Sequence, residues 1–432
     1  MVQVSESPKQ IGPIEVLIAV VCAVSVADFA YRWSRILGVF WDISVYQRAV
    51  GDFGSGVDPY RTDVLFPFVY HPLVLRLLAV LGSVLPLKVV LPVLTVAAIV
   101  WLARELMQPG VAGRLATHAT GVQSSSVSVS EADSGAVSKA AGAAASGVVS
   151  PTRFLAAFVM AAAFGGVGTA ACMSGNLAVL MHFTLMAALL RASRATGGLL
   201  RFLPYGLIVL FALVKPYFLL FLVVPVMLYE RRVIALACSM AVVLVFGAIW
   251  LSFQVYWPHE YAQFLANLRW HILSRGDMGY SFFLVFGALT RKVPLALALH
   301  VLVSAVMVVI VPLLFKQRYG RDVPFVPQLL VLYLALTVAN PRMKDYDLFP
   351  ALAGFFAVFW RLSRSAPAII LAALTLTVVP LLSSLVPEFA AAHQMLLDPF
   401  GTWQMVGLAV LGVSFLVLMQ EPQQKSQAAA SN

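Results

Sequence analysis

Residues 233–252 read VIALACSMAVVLVFGAIWLS, with no charged side chain among them and with Arg231 and Arg232 immediately before. At about 1.5 Å of rise per residue, a helix of this length matches the roughly 30 Å hydrocarbon core of a bilayer. The same kind of stretch recurs along the chain. Candidate spans are 14–31, 86–107, 153–173, 177–192, 199–214, 216–229, 233–252, 294–315, 324–340, 347–361, 366–386 and 402–420. The apolar stretch 70–84 is shorter and suits a re-entrant or interfacial helix. The expectation is an all-α polytopic membrane protein with about twelve spans.

Composition points the same way. Of 432 residues, 61% are hydrophobic and 11% charged, and the mean hydropathy is +0.90. A soluble domain carries roughly 25% charged residues, so this chain has to meet lipid over most of its surface. The net charge of +10 is then loop Lys and Arg placed by the positive-inside rule, and no nucleic-acid partner is expected. Cys22, Cys172 and Cys238 lie in apolar stretches without metal-ligand spacing and read as small buried hydrophobes. The segment from Ile14 to Ala30 lacks a small-x-small cleavage site and runs into Tyr31-Arg32-Trp33, which suits a retained anchor.

Three regions follow. Residues 1–107 hold the anchor, a long polar-aromatic loop and the next span. Residues 108–152 are rich in Ala, Ser and Gly and predict a flexible loop. Residues 153–432 complete the bundle, and no internal repeat is visible. Basic clusters set the orientation: Arg191, Arg194 and Arg201; Arg231 and Arg232; Lys316, Arg318 and Arg321; Arg361 and Arg364. Assigning all four to the cytoplasm gives an alternating model with both termini inside. The external side then receives 32–70, Ser174-Gly175-Asn176, Lys215, 253–293, Asn340 to Asp347, and 387–401. Function is expected there.

The first of these loops carries Trp41-Asp42 with Tyr46 one helical turn on. A carboxylate at the bilayer edge, walled by aromatics, is partly desolvated and gains basicity while staying near water. A general base for a sugar hydroxyl needs that setting; a helix cap or a partner for Arg48 is the plainer alternative. Asp58-Pro59-Tyr60 is a turn signal first and a sugar contact second. His71-Pro72 opens the next apolar stretch, where the imidazole either binds phosphate or caps the helix.

Two cationic sites lie at membrane depth. Lys215-Pro216 interrupts the apolar run from Leu203 to Tyr229. An ammonium there calls for a polar cavity and a partner, with a bound anion the obvious one, unless it snorkels from a helix end. The second is Asn340-Pro341-Arg342-Met343-Lys344-Asp345-Tyr346-Asp347 in a short turn. Arg342 offers a fork for phosphate oxygens and Lys344 a point charge, while internal salt bridges are the structural alternative. Asn176 either reaches a sugar hydroxyl or caps a helix. The aromatics of 253–293 suit sugar stacking or, more commonly, the interfacial belt. His300, inside a span, reads as a packed core histidine.

Taken in order, Asp42-Ile-Ser-Val45-Tyr46, Gly56-Val57-Asp58-Pro59-Tyr60, Phe66 to Pro72, Gly175-Asn176, Lys215-Pro216 and Asn340-Pro341-Arg342 resemble glycosyltransferase family 87. These are polyprenol-phosphate-mannose-dependent mannosyltransferases within the GT-C group, and the resemblance covers about residues 14 to 360. It implies a GT-C-type bundle and inverting transfer by single displacement, with Asp42 as base. It further implies a polyprenyl-phosphate hexose donor and a glycolipid or glycan acceptor on the outer face of the plasma membrane. Lys215, Arg342, Lys344 and His71 would meet the donor phosphate. Tyr46, Asp58, Tyr60, Asn176 and Asp345 would meet substrate. No metal or other cofactor is expected, because those cations stabilise the leaving phosphate. Where many members carry a His or an aromatic pair after the late Pro, this chain has Asp345-Tyr346-Asp347.

Two other classes compete. A secondary transporter also explains an intramembrane lysine and broken helices, but not the long aromatic loop around Asp42. A lipid-linked polysaccharide polymerase or ligase is nearer in chemistry, yet calls for a large late external loop where 387–401 is short.

Overall fold

The computed structural model describes residues 38–64, 66–108, 149, 151–164, 167–195, 197–270, 279–320, 323–362 and 399–420, with a few positions between 20 and 31. The expected anchor 14–31 lies largely outside the described residues, as do the loop 108–152 up to Pro151, the span 366–386 and most of 387–401. Among the described residues the regular structure is helical throughout, without strands.

In chain order the helices are α1 (Trp41–Gly54), α2 (Pro72–Val84), α3 (Leu87–Met107), α4 (Pro151–Ala163), α5 (Val167–Ser174) and α6 (Leu177–Arg194). Then come α7 (Leu203–Val214), a 3₁₀ segment (Pro216–Leu222), α8 (Val223–Leu228), α9 (Arg232–Tyr256) and α10 (Pro258–Arg269). The rest are α11 (Phe282–Thr290), α12 (Val293–Tyr319), α13 (Phe325–Val338), α14 (Asp345–Leu362) and α15 (Pro399–Gln420).

By length and composition, α3, α6, α9 and α12 are able to cross a bilayer, and the bent pair α4–α5 makes a fifth. At the expected spans 199–214, 216–229 and 324–340 the helices are shorter, whereas α14 and α15 run 18 and 22 residues. At about 1.5 Å per residue, α7, with 12 residues, rises only about 18 Å, well short of a bilayer. The expected span 153–173 is not one straight helix, because α4 and α5 meet at 91°. The sequence between them is Gly165-Gly166, and glycine is a poor helix former. Gly168 then lets α5 fold back closely: a Cβ there would lie 2.2 Å from the Cα of Ala162 and 2.8 Å from Phe349. The stretch 253–293 is likewise more than a loop, since it holds the end of α9 and helices α10 and α11.

Burial grades outward as lipid requires. Helix α14 packs on α4, α5, α6 and α13, and its residues from Asp347 to Phe359 are buried. By contrast only 17% of the apolar window of α9 and 22% of that of α12 is buried. Their exposed faces carry Val233, Leu244, Leu251, Leu302 and Leu313, a surface that water would not tolerate and hydrocarbon does. The cysteines differ from the buried hydrophobes expected: Cys172 is exposed and Cys238 half-buried.

A second, smaller core joins α1 and α2 to the start of α3, the end of α9 and α10. Arg76 clamps it, pairing with both carboxylate oxygens of Glu260 at 2.7 and 2.9 Å and lying over Phe53, Phe253 and Trp257. Leu177, Val214 and Phe246 touch both cores, so the seam runs beside Asn176 and Lys215.

Chain direction sorts the helix ends. The N-terminal ends of α6 and α14 and the C-terminal ends of α5, α7 and α13 meet at one end, through Asp42–Asn176 and Lys215–Asp347 contacts. The basic clusters Arg191/Arg194/Arg201, Arg231/Arg232 and Lys316/Arg318 fall at the other, where Tyr229 donates to the Leu189 carbonyl and stacks near Phe325. Glu105 partly neutralises that end by pairing with Arg194 at 2.8 Å.

Gly168→Val is expected to destabilise the detergent-purified protein by about 1–3 kcal/mol through overpacking at the α4–α5 fold-back. A melting temperature equal to wild type, followed by tryptophan fluorescence, would rule out a tight approach at that point.

Candidate functional site

The site begins at a strained turn. Phe40 precedes α1 with φ 59°, in the left-handed region that a bulky residue seldom adopts, and its N–H donates to the Met173 carbonyl at 2.6 Å. That bond ties the start of α1 to the end of α5 and sets Asp42, in the first turn of α1, against the next turn of chain. There Gly175 has φ +65°, and a Cβ on it would sit 2.7 Å from Ile43. Only glycine lets α1 approach this closely.

Asn176 follows and is held from two sides. Its Oδ1 accepts from the Ala178 N–H at 2.9 Å, capping α6, so its Nδ2 has to point the other way. Nδ2 donates to Asp42 Oδ2 at 2.9 Å and to the Tyr70 hydroxyl at 3.2 Å. Of the two roles the sequence left open, the cap is the one the contacts show, and the other end of the side chain is bonded to Asp42 and Tyr70. Tyr46, one turn beyond Asp42 and fully buried, meets the Tyr70 hydroxyl at 3.3 Å and accepts from the Leu177 N–H at 3.3 Å.

Asp42 itself is half-buried. Burial by the surrounding protein pushes its carboxyl up from 3.8 to about 6, against the opposing pull of the Asn176 hydrogen bond, then Lys215, Ser174 and Lys344. A carboxylate poised there accepts a proton near neutral pH more readily than an ordinary aspartate.

The cations come from across the seam. Lys215 ends α7 in extended conformation, and Pro216 starts the 3₁₀ segment behind it. Its ammonium lies 2.8 Å from Asp347 Oδ1 and 4.0 Å over the Tyr346 ring. The sequence led us to expect a bound anion as its partner; within the protein that partner is Asp347, fully buried in the first turn of α14. Asp347 Oδ2 accepts the N–H of Lys344 at 3.0 Å, as a carboxylate at the third position of a helix reaches back to cap it. The Lys344 ammonium lies 4.9 Å over the Tyr280 ring. The Arg342 N–H donates to Asn340 Oδ1 at 3.0 Å, which shapes the turn, and the Arg342 charge acts on Lys215.

The structure thus gathers Asp42, Tyr46, Asn176, Lys215, Arg342 and Lys344 around one seam. Asp58 and Tyr60 are engaged in the fold nearby. Asp58 Oδ1 accepts from the Tyr60 N–H at 2.8 Å, a turn-forming bond, and the buried Tyr60 hydroxyl donates to the Tyr70 carbonyl. Both support the fold around Tyr70. Asp345 stands in the first turn of α14, half-buried.

Of the two roles open to His71, capping is the one its geometry fills. Nδ1 accepts from the Leu73 N–H at 3.2 Å, and the ring is wedged against Trp250 and Phe253. Burial, with Arg76 nearby, pulls its pKa down to about 4, which disfavours the charged imidazole. His300 is the packed core histidine expected, bonded through Nε2 to the Ala339 carbonyl.

Sequence reasoning missed Tyr70, His182, Tyr217 and Tyr333. The available signal was His182, an imidazole inside an apolar span, where polar side chains seldom stand without a partner. Among the described residues no group of His, Cys, Asp or Glu is placed to hold a metal ion. No protein-family model matches the chain, and no curated protein matches it.

Because the folded state raises the Asp42 pKa, its ionisation works against the fold. The stability held below the ordinary value of 3.8 is lost as pH rises through about 6. Asp42→Asn, which keeps an acceptor for Asn176, should therefore melt higher than wild type at pH 7.5 and equally at pH 3.5. Parallel melting curves at the two values test this, and no gap at pH 7.5 would mean the carboxylate is not strained.

Proposed function

We propose that this chain is an integral membrane glycosyltransferase of the GT-C type, with about twelve spans. It would transfer a hexose, in the first instance mannose, from a polyprenyl-phosphate donor to a glycolipid or polysaccharide acceptor. The observation that carries the reading is the half-buried carboxylate of Asp42, held by Asn176 at 2.9 Å, at the same seam as the cations Lys215 and Lys344. A base and an anion-stabilising field side by side are what transfer from a sugar phosphate needs. Segregation of the basic clusters to the far end of the bundle supports placing the site on the external face of the plasma membrane.

In this reading Asp42 Oδ takes the proton of an acceptor hydroxyl as its oxygen attacks the anomeric carbon from the face opposite the phosphate. The bond to the phosphate oxygen breaks with inversion. Its electron pair and charge stay on the polyprenyl phosphate, which Lys215, Lys344 and Arg342 stabilise. Phosphate is a good leaving group, so no general acid is required. Asn176 orients the base, and Tyr46 and Tyr70 wall it. The half-buried Asp42 then releases the proton to water.

A proton-coupled membrane carrier is the second reading, favoured by the buried Lys215–Asp347 pair, since such pairs mark substrate and proton paths in transporters.

Membranes containing the wild-type protein should transfer radiolabelled mannose from polyprenyl phosphate to membrane lipid. The acidic limb of the rate should fall near pH 6, where Asp42 takes up its proton. Asp42→Asn should lower turnover by roughly 10²–10⁴-fold with donor binding kept. Asn176→Ala removes a bond that favours the ionised form, so it should move the acidic limb to higher pH. Full activity in Asp42→Asn removes Asp42 from the chemistry. Absence of transfer by wild type, with proton-driven uptake into vesicles, would make the carrier reading correct instead.

A further inference from the structure

Behind Lys215 runs a chain of hydrogen bonds that the reaction just described does not use. His182 is fully buried in α6, more than one turn in from its start. Its Nδ1 lies 2.8 Å from the Tyr333 hydroxyl of α13, and its Nε2 lies 2.6 Å from the Tyr217 hydroxyl of the 3₁₀ segment. Tyr217 donates in turn to Asp347 Oδ1 at 2.8 Å, the same oxygen that receives Lys215 at 2.8 Å. The rings are held by packing: Tyr217 stacks near His182, and Phe221 stacks on Tyr333 at 4.2 Å.

The direction of the chain follows from donor counting. A carboxylate paired with an ammonium only accepts, so the one proton of Tyr217 goes to Asp347. The Tyr217 oxygen must then accept from His182, which puts a proton on Nε2. Lys215 already balances Asp347, and a charged imidazole would be a second, unmatched buried cation. The ring is therefore neutral, and its bare Nδ1 accepts from Tyr333. Every donor points the same way, from Tyr333 to His182 to Tyr217 to Asp347, with Lys215 arriving from the other side.

We propose that His182 is a positioning residue for Lys215, acting through Tyr217 and Asp347. Tyr217 and Lys215 share one carboxylate oxygen. Holding the tyrosine on that oxygen takes up part of its negative charge, and so leaves the lysine more positive field for an incoming anion. Release of the tyrosine lets Asp347 neutralise Lys215 more fully. That the anion is a sugar phosphate rests on the function proposed above; the hydrogen-bond chain does not.

The test follows the lysine directly, in the full-length protein in detergent. Trace labelling with acetic anhydride, read at Lys215 by mass spectrometry, reports how tightly its amine is paired. His182→Ala and Tyr217→Phe should each slow labelling about twofold to tenfold, the range expected for one net hydrogen bond. The double variant should be no slower than either single one, because both cut the same chain. His182→Gln should label like wild type, since its amide accepts from Tyr333 and donates to Tyr217. Wild-type rates in His182→Ala, additive effects in the double variant, or slow labelling in His182→Gln would each overturn the proposal. Loss of fold around the site would expose Lys215 and speed labelling, the opposite sign, and would overturn it too. The expected labelling order without sugar transfer by any form would sink the glycosyltransferase reading and leave this role standing. Sugar transfer with flat labelling would do the reverse.

Discussion

Asp347 has no exposed surface, yet it stands where the helices of the main core converge. Putting a carboxylate there is tolerable only because donors reach it from separate parts of the chain. They are Lys215 at the end of α7, the hydroxyl of Tyr217 in the 3₁₀ segment, and the N–H of Lys344 at the head of α14. Removing one partner of a buried ion pair typically costs about 3–5 kcal/mol, because the other charge is left unmatched. The pair therefore pins α7 to α14. The chain's local irregularity follows from it: the extended Lys215, Pro216 and seven 3₁₀ residues bring the lysine and the tyrosine onto one oxygen.

The second constraint is the seam between the two cores. Each core closes on its own apolar side chains, and Leu177, Val214 and Phe246 belong to both. A polar group placed in either core would need full satisfaction by protein. Along the seam it keeps access to an outside ligand without opening either core. Asn176 and Lys215 are the immediate chain neighbours of Leu177 and Val214, and the left-handed turn at Phe40 delivers Asp42 to the same line. Strain at Phe40 and close packing at Gly175 hold that delivery in place.

Much of this was legible in the sequence, for identifiable reasons. Residues 233–252 and 294–315 announce spans because length and apolar content alone decide that question. Asp42, Lys215 and Arg342 stood out because charge beside apolar runs is rare. What could not be read was pairing. Asp347 looked like one charge of a crowded turn, and its bond to Lys215 spans 132 positions of chain. His71 offered two roles of equal standing, and the Leu73 N–H bond to its ring, with Trp250 and Phe253 packed around it, shows the cap. Length misled where geometry changed: Gly165-Gly166 lies where 153–173 divides into α4 and α5, and 216–229 begins as a 3₁₀ helix. His182 was overlooked because its partners, Tyr217 and Tyr333, carry no charge and look like ordinary core aromatics.

The contrast between the two aspartates argues which of them is free to act. Asp347 accepts three donors shared over both oxygens, so a proton arriving there would displace a bond already made. Asp42 accepts side-chain hydrogen bonds from Asn176, on Oδ2, and from Ser174, and its lysines stand off at longer range. A base must be underemployed in this sense, holding lone pairs that the fold has not already committed. When carboxylates at one seam meet such different surroundings, the roles of structural anion and proton acceptor separate. The donors on Asp347 keep Lys215 in place, and Asp42, which forms no ion pair among the described residues, stays reactive.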